Sequence, residues 1–134
     1  MSDTSSHTPV PSMPPVTNEP LFDAERLQVY QVALEFQTLA ASLLPRRGQS
    51  ALRDQLDRAS VSISLNIAEG AGRFSPADKA RFYGIARGSA TECAAILDVA
   101  AARALTTPLA YRRGRTLLLR LVQMLTKLTA SMSR

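Results

Sequence analysis

A length of 134 residues is enough for one domain with a hydrophobic core, and the single cysteine, Cys93, excludes an internal disulfide. No apolar stretch approaches the roughly 18 residues of a membrane span, and no signal-peptide pattern opens the chain, so we expect a soluble, cytoplasmic protein without a membrane partner. The formal net charge is +5, but all 16 basic and nine of the 11 acidic residues lie in residues 21–134, which therefore carry +7. This excess favours an anionic partner, with nucleic acid ahead of a membrane surface.

The first twenty residues differ from the rest of the chain. They are polar and contain five of the eight prolines. Such a composition buries too little apolar surface to offset the cost of ordering the backbone. We therefore predict a disordered, proline-rich tail over residues 1–20 and a folded domain over residues 21–134; the alternative, a proline-rich docking peptide, lacks a repeated motif.

Start and stop signals divide the domain into four long helices. Short connections between them require antiparallel neighbours, and no alternating strand pattern competes. The predicted fold is all-α, an antiparallel up-down-up-down four-helix bundle. The predicted helices are 23–44 with Asp23 as N-cap, 50–69 with Ser50 as N-cap, 76–104 after Ser75, and 108–131 with Thr107 as N-cap.

Apolar residues at helical spacing define the predicted inward faces. Cys93 is among them, and we expect it to be a buried small residue rather than a nucleophile. The inward residues are Leu27, Tyr30 and Leu34 on the first helix, Leu56, Ala59, Ile63 and Ile67 on the second, Phe82, Ile85, Ser89, Cys93, Ile96 and Ala100 on the third, and Leu118, Leu121, Leu125 and Leu128 on the fourth.

The second and third helices are joined by a clear hairpin signal. Gly70 and Gly72 tolerate the left-handed backbone that often ends a helix, and the segment Ser75-Pro76-Ala77-Asp78 supplies a cap, a first-turn proline and an acid. The segments Asn66-Ile67-Ala68-Glu69-Gly70, Gly72-Arg73, Ala80-Arg81-Phe82 and Gly88-Ser89 resemble the 23S rRNA-intervening sequence proteins.

That resemblance extends from about Leu27 to Leu128. It implies an antiparallel four-helix bundle that assembles into a homo-oligomeric ring, a homopentamer in related proteins. More distantly, the chain is similar to the accessory variability determinants of diversity-generating retroelements, which bind nucleic acid and a reverse transcriptase. A nucleic acid and a reverse transcriptase or other protein are therefore expected partners.

Polar residues of the hairpin have a structural and a ligand-binding interpretation. In the structural one, Asn66 hydrogen-bonds loop backbone or the next helix, and Glu69 pairs with Arg73, Arg81 or Arg87 beside Gly70. Glu92 pairs with Arg58 of the preceding helix in the same interpretation. We favour this polar clamp over direct contact with a ligand.

The helices carry more apolar surface than one bundle needs. On the second helix, Val61, Leu65 and Ala68 lie far around from the inward stripe, and Leu119 does so on the fourth. Because apolar residues on two sides of a helix require protein on two sides, we predict a homo-oligomer with these residues at its interface. Gly84 and Gly88, with Ala80, form a ridge that would allow close approach of another helix.

The sequence offers little for catalysis. The single histidine, His7, lies in the predicted tail, so neither a Ser–His nor a Cys–His pair is available. The Glu-x-x-His pairs of di-metal bundles and a phosphate-binding glycine loop are also missing. We expect that the protein is not an enzyme and that it binds no cofactor and no metal.

The strongest functional indication is a series of basic residues on the fourth helix, which contains no acidic residue. The surface formed by these basic residues would bind a phosphate backbone with little sequence preference. The alternative is a protein–protein interaction scaffold whose charge is incidental. The predicted nucleic-acid contacts are Arg112, Arg113, Arg115, Arg120 and Lys127, extended by Arg46 and Arg47 of the first loop and Arg73 of the second.

Overall fold

The computed structural model describes residues 21–45 and 47–133. The predicted tail over residues 1–20, Arg46 and Arg134 lie outside that range. The described part is all-helical and has no strand, which confirms the predicted fold class of a four-helix bundle. A 3-10 turn, Asp23–Arg26, precedes four α-helices: α1 (Gln28–Ala40), α2 (Ser50–Ala71), α3 (Pro76–Ala102) and α4 (Pro108–Ser131).

The predicted caps of α3 and α4 are correct. Ser75 Oγ accepts a hydrogen bond of 3.1 Å from the backbone N–H of Asp78, and Thr107 Oγ1 accepts one of 3.1 Å from Ala110. Each cap is followed by a proline whose fixed φ suits the first helical turn. The prediction for Ser50 is wrong, because Ser50 is the first helical residue and Gln49 occupies the cap position without a side-chain bond.

The first predicted helix is divided and shorter than expected. Asp23 begins a 3-10 turn rather than capping an α-helix, and Leu27 is extended before α1 starts. The Glu25 carboxylate accepts a 2.8 Å hydrogen bond from the Phe22 N–H and so closes this turn locally. At the other end α1 stops at Ala40, because the following segment leaves the helix and buries Leu43 and Leu44 in the core.

Helices adjacent in sequence pack against one another, and α4 closes the bundle against α1. Among the described residues the diagonal pairs, α1 with α3 and α2 with α4, make no comparable contact. Between α2 and α3, Ser62 bonds Ser89 at 2.8 Å, and Gly70 lies against Tyr83. From Ser62 to Gly70 along α2, the contacting residue of α3 moves back from Ser89 to Tyr83, so α2 and α3 run in opposite directions.

The inward faces of α1 and α3 are rotated from the predicted ones. Leu27, Tyr30 and Leu34 are only half-buried, and Val29, Val32, Ala33, Phe36 and Ala40 form the α1 core instead. On α3 the residues Phe82 and Ser89 are half-buried and Ile85 is exposed, because the small side chains of Ala86 and Ala90 occupy the closest part of the packing. The α2 stripe and Cys93, Ile96, Ala100, Leu118, Leu121 and Leu125 are buried as predicted, and Leu128 is half-buried.

Gly70 serves close packing rather than left-handed backbone. It is buried in the last turn of α2, and a Cβ there would lie 2.9 Å from Tyr83 Cε1 and 3.1 Å from Phe82 Cβ. The C-cap residue Gly72 also has a negative φ, −85°, so the predicted left-handed conformation is absent from this turn. Instead, Lys79 Nζ donates a 2.9 Å hydrogen bond to the Ala71 carbonyl, which satisfies an acceptor at the end of α2.

Among the described residues, no helix of the same subunit packs against the ridge formed by Gly84 and Gly88. Both glycines are exposed, and a Cβ at either position would meet no atom within 4 Å. None of the helices in the described part is long and apolar enough to cross a bilayer.

Candidate nucleic-acid interface

The candidate interface is built on α4. Its 24 residues contain no acid, and we define the α4 basic face as its five basic residues. Every one of them is exposed, and no carboxylate of the described chain lies within the 4.0 Å of an ion pair from any of them. Because α4 turns Leu118, Leu121 and Leu125 into the core, the cations project to solvent from the remaining surface. The α4 basic face comprises Arg112, Arg113, Arg115, Arg120 and Lys127.

The side of this face next to α3 contains a contact that the sequence did not indicate. Arg87 of α3 donates a hydrogen bond of 2.8 Å from Nε to Thr126 Oγ1, so its guanidinium lies beside α4. Of the three arginines predicted as alternative partners of Glu69, Arg73 forms the pair and Arg87 does not in the described structure. The bond between Arg87 and Thr126 could not be predicted from the sequence, because it depends on how α3 and α4 are aligned.

One acid of α3 also approaches α4. The Tyr111 hydroxyl donates a 2.7 Å hydrogen bond to Asp98 Oδ1. This bond raises the pKa of the Tyr111 hydroxyl, with smaller raising effects from burial and the Asp98 charge, while Arg115 acts to lower it. The first turns of α4 are thereby fixed to the end of α3 next to the basic face.

A cavity of about 510 Å³ lies on the other side, between α1 and α4; we call it the α1–α4 cavity. The close approach of the helices behind it depends on the buried Gly114, where a Cβ would lie 3.8 Å from Phe36 Cε1 and 2.7 Å from Leu97 Cδ1. This cavity could not be predicted from the sequence, because its position depends on the register between α1 and α4. Its lining residues are Glu35, Leu39, Arg112, Arg113, Thr116 and Leu117.

A second cavity, of about 370 Å³, follows the same seam toward the end of α4. Its lining is largely apolar, and Lys127 of the α4 basic face lies at its side. This cavity lies between the start of α1 and the end of α4.

The loop residues predicted to extend the basic face are less favourably placed. Arg47 is exposed in the first loop, and Arg46 lies outside the described residues. Arg73 is engaged, because its Nη2 pairs with Glu69 Oε2 at 2.7 Å and its guanidinium carbon stacks 4.7 Å from the centre of the Phe82 ring. The second loop thus uses its arginine within the hairpin.

The polar clamp is partly as expected. The pair between Glu69 and Arg73 is present, whereas Arg81 lies 3.9 Å from Asp78 and stacks 4.3 Å over the Phe82 ring. Asn66 Nδ2 donates to the Ser62 carbonyl at 2.9 Å, so it bonds its own helix rather than the loop or α3.

The expected partner of Glu92 is also missing. Glu92 and Arg58 are both exposed and form no ion pair in the described structure. A solvated carboxylate and guanidinium gain little from pairing, because each retains its water and its rotamer freedom when apart.

The predicted oligomer residues divide between two helices. Val61 and Leu65 of α2 are 42% and 63% exposed, and Ala68 on the same side is half-buried. Leu119 is 51% exposed on α4, a helix that does not contact α2 in the described subunit, so it does not belong to the same patch. We define the α2 apolar face as Val61, Leu65 and Ala68.

The thiol of Cys93 is buried in the core and unreactive as a nucleophile. Cys93 is fully buried, and burial, with a smaller effect of Glu92, raises its pKa from the usual 9.0 to about 12. Within the described ranges no group of three or more His, Cys, Asp or Glu residues is arranged to hold a metal ion.

Comparison with known proteins identifies a family. A family model described as 23S rRNA-intervening sequence protein matches residues 25–127. The matched range begins in the 3-10 turn and includes α1, α2, α3 and every residue of the α4 basic face. None of the curated proteins compared with the chain matches it.

Proposed function

Because this chain belongs to the 23S rRNA-intervening sequence protein family, we propose that it is a non-enzymatic, homo-oligomeric helical-bundle protein that binds RNA or DNA through the α4 basic face. The observation that carries this proposal is the lack of charge compensation on α4. Five exposed cations stand on one helix without an acid and without an ion pair to any described carboxylate.

Charge compensation is the usual state of a solvated helix, because alternating signs stabilise it through pairs three or four residues apart. Exposed charges of one sign in a row repel one another, and an anionic polymer that binds to these cations relieves the repulsion. Arg113, Arg120 and Lys127 are seven residues apart, so at 1.5 Å per residue they follow about 20 Å of the helix. This length suits several consecutive phosphates of a nucleic acid backbone.

The mode of binding that fits is contact with phosphates. Bases stack on exposed aromatic rings in many single-strand binding proteins, and α4 has a single aromatic residue, Tyr111. That residue is half-buried and bonded to Asp98. Affinity should therefore come from counterion release, with little dependence on sequence over most of the bound strand.

Assembly through the α2 apolar face is compatible with this mode. The helices α2 and α4 both contact α1 and α3 and do not contact each other, so they occupy opposite corners of the bundle. A homo-oligomer joined through α2 would repeat the α4 basic face on each subunit without covering it. A pentamer is the size that the resemblance implies, and a reverse transcriptase or another nucleoprotein component is the partner we propose on the same basis.

A binding titration tests the proposal. Mixed-sequence single-stranded RNA and DNA are titrated with the intact chain at 50 mM and 200 mM salt, and fluorescence anisotropy reports the bound fraction. We expect binding at low salt that weakens steeply at high salt, because each phosphate contact releases counterions. Absence of binding at 50 mM salt would favour the alternative, a protein–protein interaction scaffold.

A further inference from the structure

The α1–α4 cavity has the size of a small-molecule site. Its volume is about 510 Å³, and ligand pockets commonly measure roughly 300–1,000 Å³. It combines four kinds of lining group: two guanidinium groups and a hydroxyl on α4, a carboxylate on α1, and two leucines. Nothing in the proposed binding of phosphates by α4 requires either the carboxylate or the leucines.

The leucines provide an apolar wall. Leu39 and Leu117 pack against the hydrophobic core with part of their surface and are only half-buried, so each leaves apolar surface facing the cavity. Stacking the flat face of a nucleobase against apolar surface of this kind is favourable, because it removes that surface from water. The wall therefore fits the base of a nucleotide better than a phosphate or sugar.

The α4 side supplies the anion site. Arg112 and Arg113 are exposed, both line the cavity, and neither forms an ion pair with a carboxylate of the described chain. Guanidinium groups hold phosphate oxygens with two parallel N–H bonds, which fixes orientation as well as charge. A nucleotide phosphate at this side would place its base toward α1.

Glu35 determines which base. Its side chain lines the cavity, is half-buried, and has no ion-pair partner within 4.0 Å in the described structure. An ionised carboxylate accepts hydrogen bonds and donates none, so it selects a base edge with two neighbouring donors. Guanine presents N1–H and N2–H side by side, whereas adenine and cytosine present one amino group next to an acceptor, and uracil flanks its N–H with two carbonyls.

We infer that the α1–α4 cavity binds a guanine nucleotide, with its base edge on Glu35 and its phosphate on Arg112 and Arg113. The base lies against Leu39 and Leu117. This inference rests on the proposed function and adds one position of base preference to a surface that otherwise binds phosphates. The nucleotide is either a free one or an unpaired guanosine within a bound strand.

Nucleotide titrations with the intact chain test the inference. GMP and AMP are compared by calorimetry, and an adenosine decamer with one central guanosine is compared with an all-adenosine decamer. We expect a preference for guanine of about 10-fold, because a bidentate pair of hydrogen bonds to a base edge discriminates against bases that cannot form it. Preference for GMP alone identifies a free nucleotide, and preference for the guanosine decamer identifies a strand; both support the site.

The decisive variant is Glu35→Gln, which replaces one acceptor oxygen by a donor, compared with Glu92→Gln. Glu92 is exposed on α3, outside the cavity, and its substitution changes the net charge equally. We expect Glu35→Gln to lose the guanine preference and Glu92→Gln to retain it, while circular dichroism shows both folded.

Two results would overturn the site. One is equal binding, or no binding, of GMP and AMP by the unmodified chain together with equal binding of the two decamers. The other is a guanine preference that survives in Glu35→Gln. In either case salt-dependent binding of mixed-sequence RNA would persist, whereas loss of that binding itself would remove the proposed function.

Discussion

Gly114 controls how closely α4 approaches the rest of the bundle, and replacing it with alanine separates two opposing effects. Alanine is favoured over glycine inside a helix by about 1 kcal/mol. Against this, the new Cβ would lie 2.7 Å from Leu97 Cδ1 and 3.6 Å from Leu43 Cδ1. Leu97 is 1% exposed, so its side chain has to repack within the core, and this overpacking should cost about 1–3 kcal/mol. The expected net change runs from neutral to a loss of about 2 kcal/mol.

The matched control is Gly84→Ala, at an exposed position inside α3 where a Cβ meets no atom within 4 Å. It should gain about 1 kcal/mol from helix propensity without an overpacking cost. The propensity effects cancel in the difference between the two variants, so Gly114→Ala should be less stable than Gly84→Ala by about 2 kcal/mol.

The assay is urea unfolding followed by far-ultraviolet circular dichroism at one subunit concentration. Sedimentation of each variant ensures that a change in assembly is not taken for a change in folding. If both substitutions shifted the unfolding free energy equally, the tight packing of α4 at Gly114 would be refuted.

Three further predictions concern assembly, the core and capping. Replacing Val61 and Leu65 with glutamate should yield smaller species by light scattering while helicity persists; an unchanged size would place the interface elsewhere. Burial raises the pKa of the Cys93 thiol from the usual 9.0 to about 12, so the folded chain should react with iodoacetamide at pH 9 far more slowly than the chain unfolded in urea. This raised pKa stabilises the folded state below pH 9, and the stabilisation is lost as the pH rises through 12. Equal reaction rates of the folded and unfolded chain, measured by mass spectrometry, would contradict the burial of Cys93. Ser75→Ala should lower the free energy of unfolding, measured by urea denaturation, by about 1 kcal/mol, because the Asp78 N–H loses its acceptor. An unchanged free energy of unfolding would show that the cap is dispensable.

Local sequence signals predicted the parts of the fold that local chemistry decides. The cap and proline pairs at Ser75 and Thr107 predicted where α3 and α4 begin, because the same side-chain bonds form in the structure. The first helix was predicted too long because its composition favours helix throughout. Tertiary burial of Leu43 and Leu44 overrides that preference at one end, and a local Glu25 bond replaces α-helix at the other.

The candidate site divides in the same way. Arg113, Arg120 and Lys127 are seven residues apart on one helix, so periodicity alone places them on one face, and all three are exposed in the structure. The α1–α4 cavity could not be predicted from the sequence. Glu35 lies opposite α4 only because of the register between the two helices, where α4 packs closely at Gly114. Periodicity within one helix specifies a face, and contacts between helices specify what lies opposite it.

The most direct test of the central claim is the salt dependence of single-strand RNA binding when α4 loses charge. Arg113→Gln/Arg120→Gln is compared with Arg26→Gln/Arg103→Gln, in which the same charge is removed from exposed positions outside α4. If α4 contacts the phosphates, the slope of log K against log salt should fall in magnitude by about 1.4 for the α4 pair, at about 0.7 per phosphate contact, and remain unchanged for the control. An unchanged slope for the α4 pair, or an equal fall in both variants, would contradict binding through the α4 basic face.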